Sequence, residues 1–144
     1  MTQRHYIDSI RDDQVLDEQF KSLLKNHWLE EAQHAKLDTR MIESLAEGMS
    51  PEEIEKGVDG YLEIGGILDN GVRQQTMFDL EAFEQATGRI LTEDEREELI
   101  DVQHQANRWT YLGTGMTHPR FLETLESLGP EQRQRIEGVA PSFC

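Results

Sequence analysis

The side chains best suited to chemistry in this chain form two pairs with the same spacing. Glu31 precedes His34 by three residues, and Asp101 precedes His104 by three residues. In an α-helix, positions i and i+3 are neighbours, so a carboxylate oxygen and an imidazole nitrogen can bind one metal ion. Because 70 residues separate the two pairs along the chain, each pair needs its own helix. The spacing therefore predicts a metal site built between helices.

The first pair stands in the middle of an apolar seam. Steps of three and four residues place eight side chains on one helical face: Phe20, Leu24, His27, Glu31, His34, Asp38, Met41 and Leu45. A buried face rejects charge unless the charge is paired or binds a metal. We expect the centre of this seam to be deeply buried and to bind a metal, with a hydrogen-bonded structural pair as the alternative. His27 and Glu97, each seven residues before a histidine, are more typical of supporting or exposed residues than of ligands.

Capping signals and apolar periodicity divide the chain into helices. Ser50 as N-cap with Pro51 at the first helical position and Glu53 at the third is a strong helix start. Thr92 and Glu95 repeat the capping box. The sequence predicts a residual helix over 1–11, long helices over 14–47, 51–87 and 92–112, and two short helices within 119–137. No run of alternating β-branched residues occurs, so we expect one all-α domain over 1–144, frayed towards Cys144.

Composition restricts the partners and the compartment. The net charge of −15 argues against nucleic acid and anionic membranes, because both bind basic patches. No stretch approaches the ~18 apolar residues of a membrane span, and the first residues lack the apolar core of a signal peptide. Cys144 is the only cysteine, so no internal disulfide is possible. We expect a soluble, cytoplasmic protein.

The segments HWLEEAQHAKLD and DVQHQANRW resemble the two metal-binding helices of the ferritin-like di-iron carboxylate superfamily. In that superfamily an antiparallel four-helix bundle holds two iron or manganese ions. The ligands come in the order Glu, Glu-x-x-His, Glu, Glu-x-x-His. The resemblance assigns Glu31 and His34 to the first pair and Asp101 and His104 to the second. Asp101 departs from the pattern, because its side chain is one methylene shorter than the usual Glu.

The two remaining carboxylates of the superfamily pattern are matched less well. Asp69 fits the third-helix carboxylate best, because it lies at mid-helix and 32 residues before Asp101. Glu63 is second and Asp59 third, and an exposed ion pair with Arg73 is the alternative role for Asp69. The first-helix Glu has no counterpart, since no Glu occurs before Glu18. Either the true start lies upstream, or the chain is a shortened relative, or a partner chain supplies the missing group.

The resemblance implies a ferritin-like antiparallel helical bundle with two short C-terminal helices. Its metal ligands would be Glu31, His34, Asp69, Asp101 and His104, holding two iron ions or, alternatively, manganese. The implied activity is that of a di-iron or Mn/Fe oxidase or oxygenase, which uses O₂ on a small-molecule substrate, in a protein that forms a homodimer. The first alternative is a non-catalytic helical oligomerisation or interaction module with a degenerate metal site. The second is a metal-handling protein related to ferritins.

Overall fold

A computed structural model describes residues 5–144, and within this range every regular element is helical and no strand occurs. The all-α prediction is therefore confirmed for this part of the chain. The predicted helix over 1–11 is represented by a π-helical turn at Tyr6–Ile10, and its first four residues lie outside the described range. The main helices are α1 (Glu18–Ala46), α2 (Pro51–Thr87), α3 (Glu93–Arg108), α4 (Pro119–Leu128) and α5 (Pro130–Val139).

Side-chain caps start the three long helices. The Asp17 carboxylate accepts hydrogen bonds from the first backbone N–H groups of α1. Ser50 and Thr92 each form a complete capping box, with Glu53 and Glu95 respectively. Each box satisfies N–H groups that a helix start otherwise leaves without partners. These local contacts explain why the starts of α2 and α3 are readable from sequence.

The predicted helix over 92–112 changes character at its end. The regular α-helical part, α3, stops at Arg108, and the chain continues as a π-helical turn over Trp109–Gly113 and a short helical turn over Thr114–Met116. His118 then caps α4, because its Nδ1 accepts a hydrogen bond from the Arg120 backbone N–H at 3.2 Å. This contact gives His118 a structural role.

The hydrophobic core lies at one end of the antiparallel α2–α3 pair. It joins residues from α2, the α3 continuation, α4, α5 and the C-terminal segment: Val58, Leu112, Met116, Leu125, Ile136, Ala140 and Phe143. The opposite end of the pair, beyond Leu80, contributes no member to this cluster. The core is thus built by α4 and α5 folding back over the first half of α2 and the end of α3.

The C-terminal residues are ordered against this core. The expectation that they fray is wrong: Ala140–Phe143 forms a 3₁₀ turn in which Ala140 and Phe143 are buried. The Arg108 guanidinium lies over the Phe143 ring, 5.0 Å from its centroid. The backbone of Phe143 can approach the chain at Gly113 because glycine has no side chain there. A Cβ at this position would lie 2.6 Å from the Phe143 carbonyl oxygen.

Helix α1 lies at the periphery. The expectation that the centre of its seam is deeply buried is wrong, because none of the 29 residues of α1 is buried. Its main contacts are with α4 and with the Tyr6–Ile10 turn. In the second of these, Tyr6 stacks on Trp28 at 5.3 Å between ring centroids. The apolar periodicity of α1 is real, but α2 and α3 do not bury it. Asp38 and Leu45 border open clefts that face α2, and Leu45 remains 66% exposed.

None of the helices in residues 5–144 has both the length and the apolar character that crossing a bilayer requires.

Replacing Gly113 by alanine should destabilise the protein by about 1–3 kcal/mol, as overpacking does in other cores. The added methyl would collide with the Phe143 carbonyl and with the Trp109 ring, which lies 2.9 Å from its position. Urea unfolding monitored by circular dichroism measures the change. Gly115→Ala is the matched control, because nothing lies within 4 Å of its added methyl and alanine favours a helix by about 1 kcal/mol. Equal stability of the two variants would contradict the tight packing at Gly113.

Candidate functional site

The five residues selected from sequence fall into two separate places. Asp69 of α2 meets His104 of α3 in the interface between these helices. Glu31 and His34 lie together on peripheral α1. Asp101 is exposed on α3, and its neighbour His104 instead contacts Asp69. Across residues 5–144, no group of three or more His, Cys, Asp or Glu side chains is arranged to hold a metal ion.

Asp69 is the centre of an ion-pair cluster. Its Oδ1 lies 2.9 Å from His104 Nε2, and both side chains are mostly covered, with 22% and 15% exposed. Arg108 Nε lies 2.8 Å from the same oxygen and forms an ion pair with it, without a hydrogen bond from this buried nitrogen. A carboxylate between an imidazole and a guanidinium has its charge compensated without a metal ion.

Further polar contacts join α2 to α3 beyond this cluster. The Asn107 amide donates to the Thr76 hydroxyl at 3.4 Å, and the Gln103 amide donates to Asp79 at 2.7 Å. At the far end, Arg96 donates to Glu84. That hydrogen bond, together with one from the Leu91 backbone N–H, holds the pKa of Glu84 below its usual value. Polar side chains therefore link the half of the helix pair that lies away from the hydrophobic core.

Glu31 lies between two histidines on one face of α1. Its Oε1 is 3.7 Å from His34 Nδ1 and 3.9 Å from His27 Nε2. These separations are too long for hydrogen bonds, so the three groups are neighbours without being locked together. Their side chains are accessible, with 58% of His34 and 35% of Glu31 exposed. In the described chain no lysine or arginine forms an ion pair with Glu31, in contrast to Asp69.

The two groups do not fit a di-iron centre within one described chain. Such a centre needs both carboxylate–histidine pairs around one pair of ions, whereas here one pair lies on α1 and the other in the α2–α3 interface. Arg108 also brings a positive charge to the Asp69 oxygen that a metal ion would need.

An apolar cleft of about 260 Å³ opens between α1, α2 and α4. Its walls include Ile42, Val58, Tyr61, Phe121 and Leu125. Burial raises the pKa of the Tyr61 hydroxyl, and the Tyr61 ring packs against Phe121 with 5.2 Å between centroids. The lining is almost entirely apolar, so the cleft offers packing surface rather than groups for acid–base chemistry.

Sequence reasoning missed Arg108, which completes the Asp69 cluster. The signal was present, because Arg108 follows His104 by four residues and therefore lies on the same face of α3. It also missed the contacts of Gln103 and Asn107 with α2. The sequence spacing of Gln103 and Asn107 from His104 does not show that they face α2. That depends on how α3 is rotated about its own axis against α2.

Comparison with protein-family models, with curated protein sequences and with solved structures gives no match for this chain. The ferritin-like resemblance therefore rests on the residues themselves, and the contacts of those residues are what any functional proposal must use.

Replacing Asp69 by alanine should lower the free energy of unfolding by about 1–2 kcal/mol, because His104 and Arg108 would lose their shared carboxylate. Asp101→Ala, which removes an exposed carboxylate from the next helix, should change stability by no more than about 0.5 kcal/mol. Urea denaturation of the two metal-free variants makes the comparison. A larger loss in Asp101→Ala would show that the Asp69 cluster is not the stabilising contact.

Proposed function

We propose that this chain is a helical interaction module that pairs with a second copy of itself through the exposed seam of α1. The observation that carries the proposal is the complete lack of buried residues in this 29-residue helix. In proteins, helices are stabilised mainly by packing of an apolar face. Several large apolar side chains of α1 remain exposed instead: Phe20, Leu23, Leu37, Met41 and Leu45.

An exposed face of this kind is typical of an interaction site. Single exposed apolar residues are normal on protein surfaces, whereas grouped ones rimmed by polar residues mark contact surfaces. Phe20, Met41 and Leu45 recur at helical spacing on the same face of α1. A partner helix packed along this face would cover all three together.

The charge distribution favours a second copy as the occupant. Helix α1 carries five acidic and four basic residues, a net charge of −1 in a chain of −15. Helix α2 carries nine acidic and two basic residues, a net charge of −7. Two copies that meet through α1 therefore join their least charged long helices, and this keeps the repulsion between two acidic proteins low.

A ferritin-like metal-binding function is the second candidate. It is favoured by the approach of Asp69 to His104, since sequence reasoning selected both as ligands and the two lie 2.9 Å apart. In that reading Asp69 and His104 would hold iron or manganese, and the oxidase or oxygenase activity remains a prediction from the resemblance. The function needs Arg108 to withdraw from Asp69 and the α1 pair to approach.

Replacing Met41 by glutamate should weaken self-association at least about tenfold, because a carboxylate would be buried against the second copy. Leu29→Glu is the matched control. Leu29 is about as exposed as Met41, 47% against 52%, but it precedes Glu31 by two residues and so lies on the other side of α1. Light scattering coupled to size-exclusion chromatography over a concentration series measures the dimer. A monomer at every concentration, or equal weakening in both variants, would contradict the proposal.

For the second candidate, anaerobic Fe(II) titration of the wild type should bind at least one ion per chain. His104→Gln should reduce this binding, because it removes the imidazole beside Asp69. Metal analysis after gel filtration measures the content. Less than one ion per chain, or unchanged loading in His104→Gln, would remove this candidate.

A further inference from the structure

The seam of α1 is symmetric about its own midpoint. Its eight positions follow one another in steps of four, three, four, three, four, three and four residues, which reads the same in both directions. The midpoint lies between Ala32 and Gln33. Positions equally far from it form matched sets, namely Phe20 with Leu45, Leu24 with Met41, His27 with Asp38, and Glu31 with His34.

This symmetry fits an antiparallel pair of identical helices. When a twofold axis passes through the midpoint, each residue faces the residue at the same distance on the other side in the second copy. Alternating steps of three and four are also the spacing of a coiled-coil seam. Phe20 then faces Leu45 of the second copy, and Leu24 faces Met41 of the second copy. Apolar groups meet apolar groups at both ends of the seam.

The same register matches charges at the centre. His27 faces Asp38 of the second copy, and Glu31 faces His34 of the second copy. Every carboxylate of the seam thus meets an imidazole, and no two carboxylates face each other directly. This complementarity selects the antiparallel register, because a shift by one seven-residue repeat sets polar groups against apolar ones, such as Phe20 against Asp38 in one direction and Glu31 against Met41 in the other.

We infer that two copies of α1 pair in this antiparallel register, and that Glu31 and His34 of both copies together form a site for one divalent transition-metal ion. The inference rests on the self-association proposed above and assigns its register and its ligand. Two imidazoles and two carboxylates are a donor set that suits zinc, cobalt, iron or manganese.

Each chain already has two of the four proposed metal donors, the Glu31 carboxylate and the His34 imidazole, close together and accessible. Glu31 Oε1 lies 3.7 Å from His34 Nδ1, so both donors face the same region outside α1. Neither side chain is locked by a hydrogen bond, and more than half of His34 is exposed. Glu31 has no lysine or arginine ion-pair partner in the described chain. The second copy supplies the two donors that one chain lacks.

The register is tested by disulfide trapping in a Cys144→Ser background. Leu24→Cys combined with Met41→Cys places two cysteine pairs opposite each other in the dimer, and mild oxidation should yield a covalent dimer. Leu24→Cys combined with Leu37→Cys is the matched control, because its cysteines face no cysteine in this register. Equal trapping of both variants, or trapping of the control alone, would overturn the register.

The shared site is tested with Co²⁺ on the full chain, against EDTA. Co²⁺ should tighten the dimer by about tenfold or more, because it binds the paired state alone, and bind at one ion per two chains with visible absorption. Glu31→Gln and His34→Gln should each abolish the tightening by Co²⁺, which is measured for each variant against that variant's own dimer in EDTA. Asp101→Asn, which alters the carboxylate of the other sequence pair, should leave the effect unchanged.

The outcomes separate the two levels of the proposal. A dimer that ignores Co²⁺, or a Co²⁺ effect that survives His34→Gln, overturns the shared site and leaves self-association intact. Binding of one Co²⁺ to each monomer also overturns the shared site. A chain that stays monomeric with and without Co²⁺ overturns both the site and the self-association.

Discussion

The antiparallel packing of α2 against α3 is the contact on which the rest of this fold depends. It is the most extensive contact between helices in the described chain. Neither helix would be stable alone in water, since isolated helices rely on tertiary packing. Once the two are paired, α4, α5 and the C-terminal turn have a surface to fold back on, and Val58, Met116 and Phe143 come together in one core.

The two carboxylate–histidine groups differ because only one of them belongs to this helix pair. Asp69 and His104 are held between α2 and α3, where Arg108 compensates the carboxylate and the contact acts as a polar link. Glu31 and His34 lie on a helix none of whose residues is buried by the described part of the chain. Similar residue types therefore have different roles, and the surroundings of each carboxylate decide which role it has.

Local signals in the sequence predicted local structure well. The capping boxes at Ser50 and Thr92 require only residues within one turn, so they are readable without knowledge of the fold. The proximity of Asp69 and His104 was also inferred, because antiparallel helices joined by a short loop fix which positions face each other. The position of α1 was not readable, since an apolar seam looks the same whether it is covered by its own chain or by another. The burial of Phe143 was missed for a related reason: it depends on Gly113, which is 30 residues earlier in the chain.

The uneven placement of the core has a consequence for motion within the α2–α3 pair. Around Gly113 the two helices are fastened by close-packed apolar groups, which open only when most of the structure unfolds. Towards the connection at Gly88–Thr92, Leu80 is the one buried apolar side chain of the described residues. The helices are joined there mainly by side-chain hydrogen bonds such as those of Asp79 and Glu84, for which water is a ready substitute. Local opening free energy should therefore fall steadily along the pair. The ends of α2 and α3 next to their connecting loop should therefore separate transiently while the hydrophobic core at the other end of the pair stays packed.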